Sequence, residues 1–324
     1  MASGTRIVSL GHYQPSRVLT NAELEGLVET SDEWIRSRVG IETRRIAAPD
    51  ETVDEMAAHA AEKALAASGL GAAKVDLVLV ATCTALDRSP TMSARVAARL
   101  GLESPALLDI NVACAGFTHA LAVADHTIRA GAASTALVIG VEKLSDVTDW
   151  TDRSTCVLVG DGAGAAVVTA GDEAQIGPVT WGSVPTMSSA VRIEVDRTDG
   201  VPDRSGGAGR FAQDGQSVYR WATTKLPQIA RAACERSGLT PEDLAAVVFH
   251  QANLRIIEPL AAKLGAVNAV VARDVVESGN TSAASIPLAL SKLVERGEIP
   301  SGAPVLLFGF GGNLSYAGQV VRCP

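Results

Sequence analysis

Several short segments combine residue types and spacing that suit covalent acyl chemistry. Asn111-Val-Ala-Cys114-Ala-Gly116-Phe117 sets a thiol where a strand-like run, Ala106–Val112, gives way to a helical pattern, Ala115–Arg129. A thiol at that junction lies near the positive end of a helix dipole, which favours its thiolate, and beside backbone N–H groups that the helix leaves unpaired. Both features suit a nucleophile that forms a thioester and then holds an oxyanion; the competing reading is a small buried cysteine at a tight turn. His250-Gln-Ala-Asn253-Leu-Arg255 follows directly on the apolar run Ala245–Phe249. The C-terminal end of a strand is where α/β sheets place ligands, although a satisfied structural histidine fits there equally well. Gly279-Asn280-Thr-Ser-Ala-Ala-Ser-Ile-Pro287 opens a helix, so Asn280 either caps it or points its amide into a site. Gly309-Phe-Gly311-Gly312-Asn313 follows the run Val305–Phe308, and its glycines let a backbone N–H approach a reacting oxygen or simply turn the chain. Gly160-Asp-Gly162-Ala-Gly164 invites comparison with a phosphate loop. A strand-like run follows it where a helix is needed, so it reads as a turn between strands.

The elements that must position these residues alternate between strand and helix patterns, which predicts an α/β fold. The order repeats. Asp76–Thr82 matches Ala245–Phe249, Ala136–Val141 matches Val305–Phe308, and Gly164–Thr169 matches Ser315–Val321. This is a long-period repeat of topology, not of residues. It divides the chain into an N-terminal half, 1–171, carrying Cys114, and a C-terminal half, 172–324, carrying His250 and Asn280. Clefts between such halves commonly hold small molecules. The polar, glycine-rich stretch Asp196–Gly215 has neither period and reads as a long surface loop, either a lid or merely a mobile connection.

Composition narrows the function classes. The 324 residues, 47% apolar and 20% charged, can bury a large core without staples. Asp and Glu exceed Lys and Arg, 36 to 28, which argues against a generic nucleic-acid binder. No run approaches the ~20 apolar residues of a membrane span, and His12, Gln14 and Pro15 break the early apolar run before it becomes a signal-peptide core. Five widely spaced cysteines without a CxxC pair predict neither a disulfide framework nor a structural zinc site, so a cytoplasmic protein with mostly buried thiols is expected.

Taken together and in order, the segments resemble the β-ketoacyl-ACP synthase III family of the thiolase-like fold. The resemblance runs over nearly the whole chain, from Thr30-Ser-Asp-Glu-Trp34-Ile-Arg-Ser-Arg38-Val-Gly-Ile41 through Ala113-Cys114-Ala-Gly-Phe117, Thr151-Asp-Arg153 and Gly160-Asp-Gly-Ala-Gly-Ala165. It continues through His250-Gln-Ala-Asn-Leu-Arg255 and Gly279-Asn-Thr-Ser-Ala-Ala-Ser285 to Phe310-Gly-Gly312. It implies two similar βα halves in a layered α-β-α-β-α arrangement and a Cys114–His250–Asn280 triad. Cys114 would accept an acyl group from acyl-CoA. His250 and Asn280 would hold the thioester carbonyl of malonyl-ACP while it loses CO2, and the resulting carbanion would attack the acyl-Cys114 carbonyl. The N–H groups of Cys114 and Gly312 would form the oxyanion hole. No metal or redox cofactor is implied. Trp34 and Arg153 would sandwich the adenine of CoA, Arg38 would meet its phosphates, and Gln216 and Asn253 would line the pantetheine tunnel. Arg220, Arg255 and Lys263 would offer a basic patch to an acidic carrier protein. A homodimer is implied, because relatives build part of the acyl pocket from the partner subunit.

Departures from the family bear on specificity. Asn313 stands where a third glycine is common, and Ser89 and Val159 stand where relatives can carry larger side chains, which predicts a roomier acyl pocket than acetyl requires. The alternative function is an acyltransferase of the same fold that moves the acyl group to a carrier, alcohol or amine without condensation. A non-catalytic partner of the same fold is disfavoured by the retained triad. HMG-CoA synthases and thiolases share the fold but require a carboxylate base and a second active-site thiol respectively, and no residue beside these motifs suggests either.

Overall fold

Leu77–Ala81 and Thr135–Lys143 are buried at every position, the signature of strands covered on both faces of a sheet. The computed structural model describes residues 4–87, 89–195, 197–198, 201–202 and 209–324. Within these residues the two runs join a five-stranded sheet, ordered Gly4–Tyr13, Asp161–Gly171, Thr135–Lys143, Leu77–Ala81, Ala106–Ile110. A second five-stranded sheet is ordered Val270–Val271, Ala246–Phe249, Pro304–Phe310, Tyr316–Arg322, Thr180–Gly182. In each sheet the central strand runs parallel to one neighbour and antiparallel to the other, so the connectivity repeats as the sequence predicts.

Two helices, Gly116–Arg129 and Ser285–Glu295, lie between the sheets and touch both. Their apolar faces, including Phe117, Leu121, Ile286 and Leu290, share one buried cluster with Leu79, Val138, Val248 and Leu307 from the two sheets. Val53–Ser68 and Met92–Arg99 cover the outer face of the first sheet, and Gly215–Arg236 with Leu254–Leu264 covers the second. The result is the layered α-β-α-β-α architecture. Among the described residues no helix is long and apolar enough to cross a membrane.

Each sheet admits the opposite half through a glycine. A Cβ on Gly140 would lie 2.2 Å from the carbonyl oxygen of Ala283, and one on Gly309 would lie 3.0 Å from Cα of Ala115. Only glycine allows backbone to approach that closely. The same reason corrects the reading of Gly160–Gly164 as a turn. The strand begins at Asp161, and Gly164 sits inside it because a Cβ there would strike the backbone of Pro287 and Leu288 in the second central helix.

The stretch read as a surface loop is also partly regular. Val191–Glu194 pairs antiparallel with Arg210–Gln213, and Arg197–Thr198 pairs with Val201–Pro202. Val-Arg-Ile-Glu alternates apolar and polar, the two-residue period of a half-buried strand. The remainder of that stretch, 196, 199–200 and 203–208, lies outside the described residues.

Candidate active site

Cys114 sits in a one-turn segment, Ala113–Ala115, that feeds the first central helix. Ala113 takes φ 43°, a conformation L-residues adopt only under constraint. The non-glycine residues with positive φ among the described residues are Ala113, Ser282, Asn313 and Leu314, the first three lining a cavity at Cys114. Asn313, the departure from glycine, holds φ 60°, and asparagine is among the residues that best tolerate the left-handed region.

The thiol is buried, and burial pushes its pKa up to about 11. The nearby Ser282 hydroxyl and the N–H groups of Gly312 and Cys114 act against burial, while the nearby Glu142 carboxylate reinforces it. Proximity to the helix end therefore does not produce a resting thiolate. Desolvation outweighs it because the sulfur lies in a nearly closed layer between two sheets.

His250 follows the Ala246–Phe249 strand, and its own N–H bonds the carbonyl of Phe308 in the neighbouring strand. Its Nδ1 lies 2.8 Å from Oγ of Ser285, and the ring packs edge-on against Phe310. Burial pushes its pKa down to about 3, so the imidazole is neutral. The N–H of Gln251 donates to the same Ser285 Oγ at 3.3 Å, which leaves the Ser285 hydrogen free for Nδ1. That arrangement places the imidazole proton on Nε2. Asn280 does not cap the helix, whose N-cap is Ala284. Its Oδ1 accepts the Ser282 N–H at 2.8 Å and holds the turn, while its Nδ2 has no partner among the described residues and the side chain lines the cavity. Backbone bonds to Leu158 and Gly160 pin it to the other half.

Two cavities meet at Cys114. One, about 190 Å³, opens beside Arg38 and Arg255 and is lined by His250, Asn253, Asn280 and Gln213. The other, about 560 Å³, runs past Ala113, Leu144, Ile193, Phe211, Asn280 and Asn313. Asn253 lines the first cavity while capping its helix through the Ile256 N–H. Gln216 is exposed, and Gln213 takes the lining position expected of it, because the strand pairing of Arg210–Gln213 turns that side chain inward.

Ser89 is exposed and lines neither cavity, and Val159 is wholly buried in the core behind Asn280. The Val191–Glu194 and Arg210–Gln213 strands contribute Val191, Arg192, Ile193 and Phe211 to the larger cavity's lining, residues sequence reasoning missed although their alternation was visible. Trp34 and Arg153 are neighbours as implied, but the guanidinium carbon lies 5.2 Å from the ring centroid and that of Arg38 lies 6.0 Å from it. A planar ring between Trp34 and Arg153 needs two van der Waals gaps of about 3.5 Å each, so Arg153 must move to admit one. It is held by a bond to the Glu29 carbonyl. In the basic patch, Arg255 sits at the cavity mouth bonded to the Ser37 carbonyl, Arg220 is exposed, and the Lys263 ammonium is tied to the Thr223 carbonyl.

Sequence reasoning found no carboxylate and no second thiol beside the motifs. The structure places both. Glu142 is wholly buried next to the site, and Cys83 lines the larger cavity with Sγ 3.2 Å from Glu142 Oε1. Neither fits the HMG-CoA synthase or thiolase roles. The carboxylate is enclosed by donors, and the Cys83 thiol is held protonated against it, its pKa pushed well up by burial and by Glu142.

A nucleophile turn on one central helix, facing a neutral histidine and an asparagine from the other half of a doubled βα fold, defines a condensing enzyme of thiolase-like architecture. The chain matches the family model for 3-oxoacyl-[acyl-carrier-protein] synthase III over residues 108–185 and the model for the C-terminal region of that synthase over 234–323. It is 74% identical to β-ketoacyl-[acyl-carrier-protein] synthase III 4 of Streptomyces coelicolor over the full length of both chains. It is 45% identical to the β-ketoacyl-[acyl-carrier-protein] synthase III of Mycobacteroides abscessus, covering 98% of this chain and 94% of that one. Among solved structures it resembles the priming β-ketosynthase of the R1128 polyketide pathway, with TM-score 0.96 and 42% identity, covering 100% of this chain and 97% of the other. It also resembles the 3-oxoacyl-[acyl-carrier-protein] synthase III of Aquifex aeolicus, with TM-score 0.90 and 38% identity, covering 98% and 100%. The chain belongs to the β-ketoacyl-[acyl-carrier-protein] synthase III family and is an acyltransferase of the condensing type.

Proposed function

We propose that Cys114 takes an acyl group from acyl-CoA and that the acyl enzyme condenses with malonyl-ACP, giving 3-oxoacyl-ACP, CO2 and CoA. The observation that carries this reading is the position of Cys114 on the lining of both cavities, with His250 lining the smaller one and Asn280 lining both. The narrow cavity accommodates the pantetheine arm and the larger one the acyl chain. Malonyl decarboxylation places charge on the thioester oxygen. His250 Nε2–H and Asn280 Nδ2–H stabilise that oxygen as charge develops, and each such donor is worth ~10²–10³ in rate. The N–H groups of Cys114 and Gly312 take the tetrahedral oxyanion on the acyl carbon. Every bond change is an acyl transfer or loss of CO2, so the side-chain and backbone donors suffice without metal or redox chemistry.

The size of the second cavity favours acyl groups larger than acetyl. Val191, Arg192, Ile193 and Phe211 line it, and neither Ser89 nor Val159 does. Trp34, Arg153 and Arg38 receive the nucleotide end of CoA after Arg153 withdraws. Arg220 and Arg255 face the acidic carrier protein, with Lys263 oriented by its carbonyl bond. The protein acts in the cytoplasm as a homodimer. Support for the dimer comes from the free edge strand Ala106–Ile110, whose Leu107 and Leu108 are exposed, together with exposed Leu86 on the loop carrying Ser89. An unpaired apolar edge of this kind calls for a partner strand.

Intact-mass spectrometry with an acyl-CoA panel and malonyl-ACP tests the proposal. Cys114→Ala abolishes the acyl adduct, while His250→Ala and Asn280→Ala still acylate but release CO2 slowly. Acylation without CO2 release in the unaltered enzyme would favour transfer without condensation. Light scattering checks the dimer.

A further inference from the structure

Arg44 lies in the short strand Thr43–Arg45 and is wholly buried, yet no carboxylate pairs with it among the described residues. Its guanidinium joins two separate parts of the N-terminal half. Nη1 donates to Oδ1 of Asn21 at 2.7 Å, and Nη2 donates to the carbonyl of Val157, also at 2.7 Å. Asn21 is fixed in turn, its Nδ2 donating to Asp32 Oδ1 at 2.8 Å and to the Ile41 carbonyl at 2.9 Å. The Arg44 Nε–H has no partner among the described residues. A buried cation with an unpaired donor adds little to stability, since apolar residues of similar size often replace such groups without loss. What its bonds do is local. Val157 precedes Leu158–Gly160, the edge on which the Asn280 backbone rests: the Asn280 N–H donates to the Leu158 carbonyl at 2.8 Å, and the Gly160 N–H donates to the Asn280 carbonyl at 3.0 Å. The Arg44 stem stands against the same junction. A Cβ on Gly279 would lie 3.0 Å from Cβ of Arg44, and one on Gly160 would lie 3.3 Å from it. The preceding residues reach the segment just before Asn280, the Glu42 N–H bonding the Val276 carbonyl at 2.8 Å and the Thr43 hydroxyl bonding the Glu277 carbonyl at 2.9 Å.

We propose that Arg44 is a positioning residue for Asn280. By fixing the Val157 carbonyl it fixes the Leu158–Gly160 edge, and that edge sets the backbone from which the Asn280 carboxamide projects. The side chain has little freedom of its own, because Oδ1 is committed to the Ser282 N–H at 2.8 Å. The direction of Nδ2–H therefore follows the backbone. Arg44 itself lines neither cavity at Cys114, so it acts on the reaction only through Asn280. A group displaced by about 1 Å can cost about 10²-fold in rate, so a small shift of the edge is felt in the chemical step without loss of the fold. Acylation of Cys114 draws on the Ala113–Ala115 turn and the Gly312 N–H instead, and is spared.

This inference rests on Asn280 holding the malonyl thioester oxygen, and the test separates the two. CO2 release from malonyl-ACP by preformed acyl enzyme is measured, per acylated site counted by intact mass, in the unaltered full-length chain, Arg44→Met, Asn280→Ala and the double variant. Counting acylated sites removes any misfolded fraction. Arg44→Met is expected to release CO2 about 10- to 100-fold more slowly, with acylation by acyl-CoA changed by less than ~3-fold. In the Asn280→Ala background the same change is expected to cost less than ~3-fold, because a residue acting through Asn280 has nothing left to act on. Arg44→Lys keeps the cation but lacks the fork that reaches both Asn21 and Val157. It is expected to slow the same step by a smaller factor, about 3- to 10-fold, and it carries the cycle if Arg44→Met yields no folded enzyme. No loss in either Arg44 variant, equal losses in both backgrounds, or equal slowing of acylation and CO2 release overturns the inference. Unaltered CO2 release in Asn280→Ala alone overturns the role of Asn280 instead.

Discussion

Ser285 controls which nitrogen of His250 carries the proton, and Ser285→Ala separates the two half-reactions. The Gln251 N–H fills one lone pair of Ser285 Oγ at 3.3 Å, and we assign the serine hydrogen to Nδ1, 2.8 Å away. Without the hydroxyl, a buried Nδ1 lone pair loses its donor, at a cost of ~1–3 kcal/mol for an unsatisfied group. The ring then loses its preference for the Nε2–H tautomer, and with it the donor aimed at the malonyl thioester oxygen. One such donor is worth ~10²–10³ in rate, so CO2 release from malonyl-ACP should fall by about that factor, whereas acylation of Cys114 should change by less than ~3-fold. Ser285→Thr retains the hydroxyl on a right-handed helical backbone and should recover most of the loss. The assay pairs intact-mass measurement of the acyl adduct with radiometric CO2 release. Decarboxylation by Ser285→Ala within ~3-fold of the unaltered enzyme would mean that the tautomer is set elsewhere and the argument from Ser285 is wrong.

The depressed pKa of His250, about 3, makes the imidazole neutral throughout the working range, so decarboxylation by preformed acyl enzyme should be flat through pH ~6.5, and an acid limb centred there would contradict the assignment. An unfolded histidine titrates near 6.5, so the folded chain binds fewer protons between about pH 3 and 6.5; stability from this group rises with pH through that window, by at most about 5 kcal/mol, and thermal melts across that range check the sign. Gly140→Ala brings a Cβ 2.2 Å from the Ala283 carbonyl, backbone that cannot yield, so it should cost at least ~2 kcal/mol by denaturant unfolding and impair Asn280-dependent decarboxylation. Trp34→Ala removes the aromatic platform for adenine and should raise KM for acyl-CoA by ~10-fold, a loss within the ~1–3 kcal/mol of base stacking, with KM for malonyl-ACP as the internal comparison.

The parts of the site legible in the sequence are those that local geometry sets. Cys114, His250 and Asn280 each follow a strand end or open a helix, positions that hydrophobic period and breakers reveal. What escaped reading is tertiary. Glu142 continues an apolar strand, and nothing local shows that the strand's end is buried against Ser282 rather than wetted by solvent. Thiolate stabilisation at Cys114 was a sound inference from a helix terminus, but the depth of the layer around it reverses the sign. The glycines of 160–164 have the composition of a turn and the function of a packing surface, a distinction that depends on where the second central helix lands.

The doubled fold explains why these failures gather at one place. Ala113-Cys114-Ala115-Gly116 and Ser282-Ala283-Ala284-Ser285 are the same structural turn in the two halves. Each opens with a positive φ, 43° and 46°, each leads into a central helix, and each approaches a glycine of the opposite half, Gly309 and Gly140. The turn is strained in both copies, and the strain holds the following residue rigidly against the other sheet. Chemistry comes from filling matched positions differently. One copy presents sulfur where the other has the Ala283 methyl, and a hydroxyl stands at Ser282 where the other has the Ala113 methyl. The site is therefore not carried by either half. It is the difference between two copies of one turn, brought face to face by the packing that makes them alike.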